Sequence, residues 1–150
     1  MKILMLDSST YGEDVNVDKF YGLGEVKSYQ TSTRQEALER TAGFNPDVVI
    51  INKIVADKEF IDCAPALKMI AETATGYNNI DIDYTRAHSI TVCNAGDYST
   101  EAVAQHVFAF ILHEYNTVDK YNTFVKNEGW VNAETFSPFF AMRELQGKTI

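Results

Sequence analysis

The sequence predicts an α/β fold, a doubly wound parallel sheet of five strands followed by a long interdomain helix. Two observations carry this prediction. Over roughly the first ninety residues, short apolar runs alternate with segments of helical periodicity, a pattern typical of parallel strands joined by crossover helices. From Ser99 onward the alternation stops, and apolar residues recur at the spacing of a helix. We therefore divide the chain into residues 1–97, which hold the sheet, and residues 98–150.

The five predicted strands are short and mostly apolar. They run from Ile3 to Leu6, Glu25 to Gln30, Val48 to Asn52, Lys68 to Thr73 and Ile90 to Asn94. Their alternation with helices indicates a flavodoxin-like sheet, in which ligands bind beyond the carboxyl ends of the strands. The residues at or just beyond those ends are Asp7, Asn52 and Lys53, Thr75 and Gly76, and Asn94. We expect a binding site to be built from this set.

Local capping signals place the connecting helices. Thr33 and Glu36 have the spacing of a capping box, and Gly43 is the expected stop of the same helix. Asp57 is expected to cap a short helix that follows the third strand. The two aspartates of the IDID segment resemble a catalytic carboxylate pair, but capping of the next helix explains them better.

Composition excludes several classes of function. A net charge of −8 argues against binding to nucleic acid or to anionic membranes, because a negative field repels phosphate groups. Cys63 and Cys93 lie in or beside apolar runs without the spacing of metal ligands, so we expect two small buried side chains. We find neither a signal-peptide pattern nor a membrane-spanning run, and therefore expect a soluble, cytoplasmic protein.

The three histidines lack the spacing of a metal or catalytic centre. His88 ends a short predicted helix. His106 and His113 lie seven residues apart on one helical face, but apolar residues surround His106 and no acidic residue is placed to orient it. We therefore predict no metal site.

The helix that begins near Ser99 is more apolar than a surface helix. Between Ala102 and Leu112 almost every side of it is apolar, and the pattern continues to Val125 before Gly129 ends it. Four aromatic residues follow, Trp130, Phe136, Phe139 and Phe140. A lone domain of this size seldom covers so much apolar surface, so we expect a neighbouring domain or a partner subunit to do so.

The turn after the fourth strand is the strongest candidate for a ligand site. Gly76 lacks a side chain, so the backbone amides of Thr75 and Gly76 can approach a ligand and donate hydrogen bonds to an anion. Lys53, at the end of the third strand, would attract the same anion. The alternatives are an ordinary tight turn and a solvated lysine.

Four segments together resemble the D-isomer-specific 2-hydroxyacid dehydrogenase family. They are INKIVADKEFIDCAPALKMI, TGYNNIDI, YSTEAVAQH and ELQGKTI, in the family's order and with similar spacing. The glycerate dehydrogenase or hydroxypyruvate reductase branch looks most similar. This resemblance implies that residues 1–97 are a substrate domain. Residues 98–150 would then hold an interdomain and dimerisation helix and the first strand of a truncated dinucleotide-binding domain.

The resemblance also implies roles for particular residues. The amides of Thr75 and Gly76 would hold the carboxylate of a small 2-oxo or 2-hydroxy acid, with Asn52 and Lys53 beside it. Tyr98 would border both substrate and nicotinamide. A further residue, Val103, would lie against the nicotinamide ring, although helix core is an equally simple explanation of its apolar character.

The family's other functional residues have no counterpart in this chain. Its catalytic arginine, glutamate and histidine and its GxGxxG turn are expected beyond residue 150, so no catalytic residue is assigned. NAD or NADP is the cofactor that the resemblance implies for a full-length parent, which is expected to be a homodimer. The 150-residue chain alone is expected neither to bind the dinucleotide nor to be active.

There are three alternative interpretations of the sequence. A receiver-like signalling domain has the same strand order, but it requires an acidic pair, an aspartate and a lysine at strand ends where this chain has Asp7, Asn52 and Asn94. A non-catalytic relative of the dehydrogenases, of the co-repressor type, would use the fold to bind partners. A stand-alone module that binds small carboxylates is the third. The last two remain open at the level of sequence.

Overall fold

The computed structural model describes residues 1–12, 14–134 and 140–149 of the chain, which forms two compact units, Met1–Tyr98 and Ser99–Ile150. The first unit contains one sheet with the strand order β2-β1-β3-β4-β5. Its strands are β1 (Lys2–Met5), β2 (Glu25–Ser28), β3 (Val48–Ile51), β4 (Met69–Glu72) and β5 (Thr91–Cys93), and every pairing is parallel. The predicted α/β class and flavodoxin-like order are therefore confirmed.

Helices connect the strands and continue into the second unit. They are α1 (Asp18–Tyr21), α2 (Arg34–Phe44), α3 (Lys58–Asp62), α4 (Ile82–Ala87), α5 (Thr100–Tyr115) and α6 (Val118–Lys126), and a 3-10 turn covers Ser8–Thr10. Among the described residues, no helix is both long and apolar enough to cross a lipid bilayer.

Both faces of the central strands are apolar because helices or loops cover both of them. On one face Leu4, Val49 and Ile70 are fully buried, and they belong to a cluster that includes Phe60 of α3. The other face holds a smaller cluster of Ile3, Met5 and Ile50, against which Val17 and Phe20 pack. The central strands β1 and β3 are thus fixed rigidly, and polar residues can be placed accurately where these strands end.

The start of α2 agrees with its sequence signal, but its end does not. Thr33 accepts a hydrogen bond from the Glu36 amide, and the Glu36 carboxylate accepts one from the Thr33 amide, so the capping box is complete. Gly43 does not stop the helix, which continues through the buried Phe44 and ends at Asn45 in the left-handed region, with φ 47°. Asparagine tolerates that conformation better than most residues, and burial of Phe44 favours the extra residue.

The second unit corrects the expectation of one continuous helix to Gly129. Thr117 adopts a left-handed conformation, with φ 48°, and separates α5 from α6. His113 on α5 contacts Asp119 on α6 at 2.8 Å across this break. The apolar side chains of α5 are exposed, with Val103 58% and Phe110 64% accessible.

Of the four aromatic residues in the tail, two are described. Trp130 is exposed, whereas Phe140 packs against Tyr121 and Phe124 of α6. The other two, Phe136 and Phe139, lie outside the described residues.

Candidate functional site

The strand ends of the first unit meet at one edge of the sheet because all five strands are parallel. Asp7 follows β1, Asn52 and Lys53 follow β3, the Thr75–Gly76 turn follows β4, and Asn94 follows β5. We call this set of strand ends the carboxyl edge. The strands β3 and β4 are direct neighbours, so Asn52 and Lys53 lie next to the Thr75–Gly76 turn.

A buried carboxylate fixes the backbone after β3. Asp7 is only 5% exposed, and its Oδ2 accepts hydrogen bonds from the amides of Asn52, at 2.9 Å, and Lys53, at 2.6 Å. A carboxylate is a strong acceptor for two backbone donors. Asp7 therefore holds in place the segment that carries the Lys53 side chain, which is itself exposed.

A single asparagine joins the turn after β4 to the loop after β3. The side-chain nitrogen of Asn79 lies 2.9 Å from the Ile54 carbonyl, 3.3 Å from the Asn52 carbonyl and 2.9 Å from Glu72 Oε2. The backbone carbonyl of Asn79 accepts a hydrogen bond from the Ala56 amide at 2.8 Å. These bonds fix both ends of the segment between β4 and α4, and therefore the position of the turn.

Two carbonyls of the turn are held by the end of β5. The Ala74 carbonyl accepts from the Ala95 amide at 3.0 Å, and the Thr75 carbonyl accepts from the Asn94 side-chain nitrogen at 2.8 Å. In a trans peptide the N–H points opposite to the C=O, so the amides of Thr75 and Gly76 both point away from β5. Within the described residues, neither amide donates a hydrogen bond to a protein atom. They form a pair of donors that are available to a ligand.

The fold itself does not require glycine at position 76. A Cβ built there would meet Asn78 Oδ1 at 3.7 Å, an ordinary contact, and the φ of Gly76 is not in the left-handed region. The absence of a side chain therefore leaves open space in front of the backbone, as a close approach by a ligand would need.

Two buried acids, Asp7 and Glu72, and the half-buried phenol of Tyr11 influence one another's protonation. Burial raises the pKa of Glu72, and the negative charge of Asp7 adds to this, while the bond from Asn79 and the charge of Lys53 oppose it. Burial, helped by the charges of Asp7 and Glu72, raises the pKa of Tyr11 to about 12. The phenol of Tyr11 consequently keeps its proton at neutral pH.

An apolar cavity of about 420 Å³ adjoins the carboxyl edge. Thr73, Ala95 and Tyr98 line it, together with Val17 and Phe20 on the α1 side. Tyr98 is the last residue of the first unit, and it is 72% exposed. The structure thus brings five of the six predicted site residues into one unit.

The sixth predicted site residue, Val103, is exposed on α5 in the second unit.

The described residues contain no group of three or more histidine, cysteine or acidic side chains that could hold a metal ion. His88 contacts the Tyr84 carbonyl, and His106 packs against Phe110. None of the eight glycines in the sequence belongs to a GxGxxG pattern.

Three groups at the carboxyl edge were missed by sequence reasoning. Glu72 is an acid at the end of an otherwise apolar strand, which was a signal for a buried polar contact. Asn79 belongs to the TGYNNID string, but only the fold shows that its partners are Ile54 and Asn52. Tyr11 follows the 3-10 turn and gave no sequence signal.

We predict that Asn79→Ala lowers the free energy of unfolding by about 2–3 kcal/mol, because it leaves buried acceptors without a donor. Asn78→Ala is the matched control, since Asn78 is the exposed neighbouring residue, and it should change stability by less than about 0.5 kcal/mol. Urea unfolding of both variants measures the difference. Equal stabilities would contradict the role assigned to Asn79.

A second prediction concerns pH. Because the pKa of Glu72 is raised in the folded state, the folded protein holds this proton more tightly than the unfolded chain does. Its contribution to stability is present below the ordinary glutamate pKa and is lost as pH rises through the raised value.

Glu72→Gln removes this titration and keeps an oxygen that can accept from Asn79. The stability of the natural protein relative to this variant should therefore fall as pH rises above the ordinary pKa of a glutamate side chain. Urea unfolding at several pH values measures it, and parallel pH profiles for the two proteins would contradict the assignment.

Comparison with known proteins places the chain in a family. Residues 3–146 match the model of the D-isomer specific 2-hydroxyacid dehydrogenase catalytic domain. The chain is 32% identical over 136 residues to glyoxylate reductase of Thermococcus litoralis, covering 89% of this chain and 41% of that protein. It is 28% identical over 151 residues to glycerate dehydrogenase of Methylorubrum extorquens, covering 99% of this chain and 47% of that protein.

Solved structures also match most of the chain. D-lactate dehydrogenase from Aquifex aeolicus, complexed with NAD and lactic acid, matches 97% of this chain and 41% of its own, with a TM-score of 0.69 and 26% identity. An acyclic imino acid reductase in complex with NADPH and D-Arg matches 94% of this chain and 45% of its own, with a TM-score of 0.74 and 25% identity. The chain spans less than half the length of these relatives, and it belongs to the D-isomer specific 2-hydroxyacid dehydrogenase family.

Proposed function

We propose that this chain is the substrate-binding part of an enzyme that interconverts a small 2-oxo acid and its D-2-hydroxy acid. The observation that carries the proposal is the pair of amides at Thr75 and Gly76, which donate to no protein atom among the described residues and follow the strand next to the one that Lys53 follows. Two aligned backbone donors with a nearby cation suit a carboxylate. The relatives named above as glyoxylate reductase, glycerate dehydrogenase and D-lactate dehydrogenase are named for small acids of this class.

In this proposal the chain binds and orients the substrate. The amides of Thr75 and Gly76 hold the carboxylate, Lys53 attracts it, and Asn52 is held beside them by its bond to Asp7. A nicotinamide cofactor, NAD or NADP, supplies the hydride when bound. Tyr98 would contact substrate and nicotinamide.

Val103 would contact the nicotinamide as well. Elsewhere in the whole protein, a histidine tuned by a glutamate would carry the proton transfer, and an arginine would pair with the carboxylate and carbonyl of the substrate.

The proposed substrate branch is that of glycerate dehydrogenase and hydroxypyruvate reductase. The direct test assays the whole protein with hydroxypyruvate, glyoxylate and pyruvate, each with NADH and with NADPH. Oxidation of either cofactor, fastest with hydroxypyruvate or glyoxylate, is expected. No oxidation with any 2-oxo acid would contradict the proposed activity and favour a non-catalytic, partner-binding relative.

Gly76→Val tests the anion site itself. The added methyl groups would occupy the space through which the carboxylate reaches the amides, while the fold has room for them. We predict that KM for the 2-oxo acid rises by about tenfold or more, as expected for the loss of roughly one charged hydrogen bond. The unfolding temperature should change little.

The matched control is Gly43→Val, which adds the same groups at an exposed glycine with open space around it. It should leave KM unchanged. An unchanged KM in Gly76→Val would show that the carboxylate binds elsewhere.

We also propose that the protein is a homodimer that pairs through α5. Besides Val103, exposed apolar side chains cover much of this helix; they are Val107, Phe108, Phe110 and Leu112. Patches of this kind on soluble proteins mark interfaces, and a two-fold contact would bury the same patch on both copies.

Light scattering on the purified 150-residue chain should therefore give at least twice the mass of one chain. Phe110→Lys, which places a charge in the patch, should shift the equilibrium toward the monomer. A clean monomer of the natural chain at tens of micromolar would contradict the proposal.

A further inference from the structure

The two peptides that direct the free amides are held by different kinds of bond. The peptide between Ala74 and Thr75 is fixed by a backbone bond, from the Ala95 amide at 3.0 Å. The peptide between Thr75 and Gly76 is fixed by a side chain, through the 2.8 Å bond from Asn94 to the Thr75 carbonyl. In a regular strand successive carbonyls alternate between the two sides, but here both face β5.

The second peptide is intrinsically free to rotate. A half-turn of the Thr75–Gly76 peptide plane reverses its carbonyl and its N–H together, and it changes only ψ of Thr75 and φ of Gly76. Glycine adopts positive φ about as readily as negative φ, so Gly76 itself gives little resistance to this rotation. The same absence of a side chain that would let a ligand approach Gly76 also lets the Thr75–Gly76 peptide rotate. Another residue must therefore hold this peptide in one orientation.

We propose that Asn94 is a positioning residue that sets the direction of the Gly76 amide. Its side-chain amide donates to the Thr75 carbonyl and thereby keeps the Gly76 N–H pointing away from β5, parallel to that of Thr75. This inference rests on the proposed function, in which those two amides bind the substrate carboxylate. Asn94 does not touch the substrate in this scheme and acts only through the peptide plane.

The asparagine side chain is chemically suited to hold the Thr75 carbonyl in place. The group to be held is a carbonyl oxygen, so the partner must be a donor, and a neutral amide donates without bringing a charge of its own to an anion site. An aspartate there would repel both the carbonyl and the anion. Asn94 is exposed, so its removal exposes no core and should cost little stability.

The test measures binding of sodium pyruvate to the 150-residue chain by titration of its amide NMR spectrum. In the natural chain the amide signals of Thr75 and Gly76 should move with pyruvate and should not move with methyl pyruvate, which lacks the carboxylate. In Asn94→Ala the affinity should fall by roughly five- to tenfold, the range expected for one hydrogen bond, with an unchanged unfolding temperature. The Gly76 signal should also shift without ligand, because its peptide is no longer held.

Two further variants separate positioning from a general structural effect. Thr91→Ala alters an exposed residue at the start of the same strand and should keep natural affinity. Asn94→Gln retains the donor and should recover part of the affinity that Asn94→Ala loses.

Natural affinity in Asn94→Ala would overturn the inference and leave the carboxylate site standing. If pyruvate fails to move the Thr75 and Gly76 signals of the natural chain, the site itself is wrong, and the role of Asn94 falls with it.

Discussion

The carboxyl edge is governed by one constraint, which is that backbone groups leaving a parallel sheet lose their ladder partners and must find others. In this chain side chains provide those partners. Asp7 accepts the two amides that follow β3, and Asn79 donates to carbonyls of the same loop. Asn94 donates to the Thr75 carbonyl. The amides of Thr75 and Gly76 donate to no protein atom among the described residues and remain available to a ligand.

The acidic and basic side chains at the carboxyl edge differ in burial. Glu72 and Asp7 are both buried, and burial together with the negative charge of Asp7 raises the pKa of Glu72. Lys53 is exposed and follows β3, the strand next to β4. In the proposed site a carboxylate would meet the backbone donors and this ammonium group rather than the buried acids. The acids stabilise the loops rather than compete for the ligand, because their bonds are made with the backbone and with Asn79.

Local signals in the sequence were sufficient for much of the fold. Apolar runs alternating with helices predicted all five strands, and the Thr33 and Asp57 caps were predicted because a cap depends on residues three positions apart. The turn and Lys53 were predicted as site residues because strand ends are where such sheets bind ligands. Two helix bounds were predicted wrongly. The extension of α2 beyond Gly43 follows burial of Phe44, and the break between α5 and α6 at Thr117 interrupts an apolar pattern that gave no sign of it. The bonds of Asn79 cross 25 and 27 residues, which no local pattern encodes.

The central claim is that a 2-oxo acid carboxylate binds to the two amides at the end of β4. A crystal structure of the chain with a bound 2-oxo acid tests it most directly. The account predicts carboxylate oxygens about 2.7–3.1 Å from the amide nitrogens of both Thr75 and Gly76, with the Lys53 ammonium beside them. A carboxylate bound away from this turn, or a Gly76 N–H that donates to another protein atom, would contradict it.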